Sequence, residues 1–145
     1  MKHTYILEPG KWEATGKYYY NSQNYVTVRG EAESIHGESE WTLVVTLRLD
    51  MENPLDFYSK YLIKPVSPDE EFTFWHSHNP LFGHILGKFM IIDDMILSSF
   101  QSGDRQYTGT ECLLMIDENF YRNWGFVFHE ANKQYSWVTE IRRIQ

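Results

Sequence analysis

The chain has 145 residues, 42% of them hydrophobic and 23% charged, the length and composition of one ordinary globular domain with a full core. Its formal net charge is −7 and no basic run exceeds Arg142-Arg143, which argues against a nucleic-acid partner. Ten Tyr, nine Phe and five Trp are an unusual load of rings, which suit pleated, half-buried surfaces and ligand-lining walls.

The segment Met1 to Pro9 has no apolar run of signal-peptide length, and Cys112 stands alone, so no internal disulfide can form. A cytoplasmic location is the expectation. No stretch approaches the roughly 20 apolar residues that span a bilayer as a helix.

From Lys11 onward the dominant period is two. In the first candidate strand Trp12, Ala14, Gly16, Tyr18 and Tyr20 oppose Lys11, Glu13, Thr15 and Lys17. In the second, Val26, Val28, Gly30 and Ala32 oppose Thr27, Arg29, Glu31 and Glu33. In the third, Trp41, Leu43, Val45, Leu47 and Leu49 are all apolar. One dry and one wet face per strand is the pattern of an antiparallel sheet. Turn-forming clusters at 21–24, 36–38, 52–54, 67–70, 79–80, 93–94, 102–104, 117–119 and 130–133 separate ten candidate strands. These lie near 11–20, 24–35, 40–50, 56–65, 71–78, 84–92, 95–101, 106–116, 120–129 and 134–143. Short turns without long crossovers favour a single all-β domain, a closed up-and-down antiparallel barrel, over a sandwich. Helical spacing is weak and confined to Pro54–Leu62 and Pro80–Leu86, the latter a candidate lid.

Gly10-Lys11-Trp12 opens the first strand and resembles the Gly-x-Trp signature of the calycin (lipocalin-like) superfamily. The resemblance implies a tryptophan plugging the closed end of a barrel and stacked with an arginine of the last strand. Arg142 and Arg143 both stand at a suitable place. The direct hairpin at Asn21 to Asn24 leaves no room for the helical pair of fatty-acid-binding proteins, so the compact bacterial and nitrobindin-like branches are the nearer likeness.

Phe72, Phe74, His76 and His78 share one face of a strand, with His84 just beyond the next turn. If that face points inward it forms a ligand-contacting wall, and the three histidines suggest haem or a divalent metal as an alternative. If it points outward, His76 and His78 merely cap a strand end. Tyr18, Tyr20, Tyr61, Arg122 and Trp124 are further candidates for lining an interior site, with Arg122 as an anchor for a carboxylate ligand. The competing readings put Arg122 in water and Trp124, Phe126 and Phe128 in the core. Glu111 lies in a mostly apolar and hydroxyl-bearing segment. It is either exposed or, facing inward, a general acid or base paired with a histidine in a lyase, isomerase or hydratase reaction. Cys112 reads as a buried structural thiol. No nucleophile elbow, phosphate loop or dinucleotide fingerprint is present. The expected function is to hold a small apolar or amphipathic molecule inside the barrel, with no cofactor demanded and the oligomeric state left open.

Overall fold

A computed structural model describes residues 2–79 and 82–145. Its ten strands are β1 (Gly10–Tyr19), β2 (Tyr25–His36), β3 (Trp41–Asp50), β4 (Leu55–Ile63), β5 (Phe72–Asn79), β6 (Gly83–Ile92), β7 (Met95–Ser102), β8 (Tyr107–Asp117), β9 (Phe120–His129) and β10 (Asn132–Arg143). Each strand pairs antiparallel with its neighbours in sequence, and β1 pairs with β10, so the sheet closes into a barrel. Closure removes the free edges that a ten-strand meander would otherwise present. No helix among the described residues is long and apolar enough to cross a membrane.

The helical expectation for Pro54–Leu62 is corrected: Leu55–Ile63 is strand β4, in register with β3 along its whole length. Phe57, Tyr58, Tyr61 and Ile63 favour an extended chain, and pairing to β3 outweighs the weak 3.6 spacing. The expected lid over Pro80–Leu86 is replaced by β6 from Gly83 onward, while Pro80 and Leu81 lie outside the described residues.

The alternation sets the barrel's inside. Inward positions near the start of β1 are fully packed. Trp12, Ile96 and Tyr121 are inaccessible to solvent, and Ala32, Leu43, Ile63, Leu113, Met115 and Ile141 are buried around them. Residues 3–7 plug this end. The Tyr5 ring meets Trp12 edge-on at 5.2 Å and lies 5.7 Å from Tyr121. His3 Nδ1 is 2.8 Å from the Tyr121 hydroxyl and its Nε2 is 2.8 Å from the Asp93 carbonyl, while the Thr4 hydroxyl donates to the Glu118 carbonyl at 2.7 Å. Ile6, buried at φ +58°, holds a left-handed turn that a β-branched residue resists. Its carbonyl accepts a hydrogen bond from His36 Nε2 at 2.9 Å.

Of the two terminal arginines, Arg143 is the one at the plug. Its guanidinium lies 5.5 Å from the Trp12 ring centroid and donates to Glu8 Oε1 at 3.2 Å and the Pro9 carbonyl at 3.0 Å. Arg142 points outward and stacks over Phe120 at 4.0 Å. Register decides this: Trp12 is the Cα partner of Arg143 in the β1–β10 pair, so both face inward.

Candidate functional site

Toward the opposite end many inward side chains keep accessible surface, although Val28, Leu49, Ser77, Ile85, Ser102 and Val127 are buried there. Tyr18, Val26, Leu47, Phe57, Ser59, Tyr61, Phe100, Glu111, Tyr135, Trp137 and Thr139 are all half-buried although they point into the barrel. They face the barrel's interior, its lumen, and leave it partly accessible to solvent. Rings gather at its mouth: Tyr18 stacks on Tyr135 at 4.9 Å, and Phe82 lies 4.5 Å from Tyr107, which lies 4.6 Å from His129.

The lumen's depth is kept by glycines. Trp137 of β10 lies flat across Gly125 of β9, where a Cβ would come within 2.3 Å of the indole. Phe100 of β7 lies over Gly109 of β8 in the same way, at 2.2 Å. A ring spread along the wall occupies less of the interior than one standing upright from it.

Glu111 stands in the same row. It is in register with Gly125 of β9 and Ser98 of β7, and Gly125 in turn with Trp137. Trp137 Nε1 is 3.1 Å from Glu111 Oε2 and 3.1 Å from Asn123 Oδ1, so the indole proton is shared. Asn123 is fixed by donating from Nδ2 to the Cys112 carbonyl at 3.0 Å and by accepting from the Thr139 hydroxyl at 2.9 Å. Burial pushes the Glu111 carboxyl up to about 7, and hydrogen bonds from Asn123 and Trp137 oppose that rise only in part. No cationic side chain among the described residues offsets that rise. Burial also raises the Tyr5 and Tyr61 hydroxyls, and the neighbouring Glu111 charge adds to the effect.

Tyr18 and Tyr61 thus face the lumen, and so does Glu111, against the exposed reading. Its neighbours Cys112 and Leu114 take the other side of β8, with Cys112 buried there. The remaining candidates lie elsewhere. Tyr20 is exposed just past β1. Phe72, Phe74, His76, His78 and His84 are on the outer wall, because Thr73, Trp75 and Ser77 take the inward positions of β5. The rings of His76 and His84 meet edge-on at 5.6 Å, but no three His, Cys, Asp or Glu side chains among the described residues are placed to hold a metal. Arg122 and Trp124 are also outside, as are Phe126 and Phe128, because Asn123, Gly125 and Val127 occupy the inner face of β9. Phe74, His76, Leu86, Lys88, Phe126 and Phe128 instead line a groove on the barrel's exterior.

Tyr5, Asn123, Tyr135, Trp137 and Thr139 complete the site and were not anticipated from the sequence. Trp137 was accessible to such reasoning, since it shares parity with Tyr135, Thr139, Ile141 and Arg143 in the last strand.

No protein-family model matches the sequence, and no curated protein matches it either. Solved structures do match in fold. The S-type phycobiliprotein lyase CPES from Guillardia theta superposes with a TM-score of 0.67 at 5% identity, covering 97% of this chain and 91% of that one. Rv2717c from M. tuberculosis gives 0.66 at 12% identity, over 94% and 92% of the two chains. EF1p2_mFAP2b bound to DFHBI gives 0.52 at 11% identity, over 98% and 97%. The likeness is one of fold: the present chain shares the all-β barrel of these structures.

Proposed function

We propose that the barrel binds a small amphipathic molecule in its lumen, with the apolar body against the aromatic walls and a polar group at Glu111. The observation that carries this reading is a difference along the barrel: inward side chains are sealed around Trp12, whereas Tyr18, Tyr61, Phe100, Glu111, Tyr135 and Trp137 point inward yet keep accessible surface. Cavities with apolar walls and few polar groups are the usual form of a small-molecule site. A lyase of phycobiliproteins and a barrel bound to DFHBI share the fold, which adds support for small-molecule binding without indicating which molecule.

The lumen and the outer groove are told apart by substitution. Ser59→Trp fills the half-buried inner wall of β4, whereas Phe126→Ser alters only the exterior. Calorimetric binding of a naphthyl-ethanol probe is expected to be lost in Ser59→Trp and retained in Phe126→Ser. The reverse result would assign binding to the exterior.

One observation favours a second reading, proton transfer on a bound substrate. Glu111 carries a carboxyl poised near neutrality in the same interior as the Tyr5 and Tyr61 hydroxyls. Its partners there are tyrosines rather than the expected histidine, because His76, His78 and His84 are all outside. Glu111→Gln would then abolish turnover while leaving ligand affinity in place.

A further inference from the structure

Building on the lumen reading, we propose that the ligand class is a protonated amine on an apolar or aromatic body, its nitrogen seated at Glu111. The charge pattern of the interior supplies the first argument. Around Glu111 stand Tyr5 from the N-terminal segment, Tyr61 from β4, Ser98 from β7, Cys112 beside it on β8, Asn123 from β9 and Trp137 from β10. Not one of them is cationic. Arg143 faces inward at the plug, but Glu8 holds it there. Arg122, the sequence's candidate for a carboxylate anchor, lies on the outer wall. An anionic amphiphile entering this lumen would pass the His129 imidazole at the mouth but find no cation beside Glu111, and would meet there a carboxylate of its own sign.

The rings supply the second argument. Tyr18, Tyr61, Tyr135, Trp137 and Phe100 line the same interior, and Trp137 lies flat against the wall over Gly125. Aromatic rings and one carboxylate facing a common space form the arrangement that attracts an organic cation, through the ring quadrupoles and the ion pair together. A neutral ligand would gain from the rings but leave the carboxylate uncompensated. The raised affinity of Glu111 for a proton expresses the same demand for positive charge, which an ammonium group would meet in the proton's place.

Three probes of one shape test this on the whole protein: a naphthyl-ethylamine, the corresponding naphthyl-ethanol and naphthyl-acetate. At about pH 8 the amine is expected to bind about tenfold or more tighter than the alcohol, with the acetate weakest. At about pH 6, where the carboxyl is mostly protonated, the amine should lose about tenfold while the alcohol is unchanged. In Glu111→Gln both the preference and its pH dependence should vanish, and undiminished binding of the alcohol shows that the lumen is intact. The proposal is overturned if the alcohol or the acetate matches the amine. It is equally overturned if the preference survives in Glu111→Gln, which would trace it to the protein's net negative surface. Failure of all three probes to bind would instead defeat the lumen reading on which the proposal rests.

Discussion

Trp12 is fully buried against Tyr5, Tyr121 and the guanidinium of Arg143, so truncating it leaves a void that neighbours on a closed barrel cannot fill. Trp12→Ala is expected to cost about 3–5 kcal/mol in urea unfolding. A loss under about 1 kcal/mol would contradict its role as the plug. Glu111 acts in the other direction. Its carboxyl holds a proton up to about 7 when folded, against 4.5 for the ordinary group. Between those values the folded chain binds more protons than the unfolded one, so its stability falls as pH rises and the full penalty is reached above about 7. The loss from this group is on the order of 3 kcal/mol, and Glu111→Gln should flatten it in urea midpoints measured across that interval. Trp12 was legible because a short motif and strand parity agreed on it. Glu111 was not, since Cys112, Leu114 and Ile116 on the alternate positions looked the drier set. Hydrophobicity assigns parity correctly only where the interior is solid, and a hollow interior places glycine, serine and glutamate inside while rings such as Trp124 and Phe126 face out.

Strand limits were readable to within a residue or two, because turn clusters such as Asn21–Asn24 and Asp117–Asn119 fall between runs of strict alternation. The N-terminal segment had no periodicity to announce it, and its order comes from tertiary contacts. Removing residues 2–7 takes away the buried Tyr5 and Ile6 side chains but also the entropy cost of holding them. The expected net loss is about 1–3 kcal/mol, with Trp12 becoming accessible to a fluorescence quencher. Burial holds the His3 imidazole below its ordinary value, so the segment's anchorage is complete above about 6.5 and weakens as pH falls below it. Between β9 and β10 the contact of Gly125 with Trp137 is equally specific. Gly125→Ala should displace the indole from Glu111 at a cost of about 1–3 kcal/mol, read as a shift in Trp fluorescence together with the melting temperature.

Across the whole molecule the wall is unevenly sewn. β1 and β2 are in register over ten residues, whereas β4 and β5 pair through Tyr61, Leu62 and Ile63 with Ser77, His76 and Trp75, extended by the Lys64 N–H donating to the Phe74 carbonyl at 3.0 Å. Ser77 and Thr73 reinforce this seam by donating from their hydroxyls to the carbonyls of Lys60 and Lys64. Local opening follows the number of backbone bonds that must break together, so amide exchange is expected to be faster in peptides covering 55–63 and 72–79 than in those covering 25–36 and 41–50. Equal protection would mean that the seam is as strong as the rest. A barrel closed by one short clasp is also a container with a side door. A guest of the proposed lumen could leave by the mouth, once its own contacts fail, or by the clasp, whose rate is how often the seam parts. Chemically different guests would share that second rate, and a disulfide stitched across β4 and β5 would remove it for all of them.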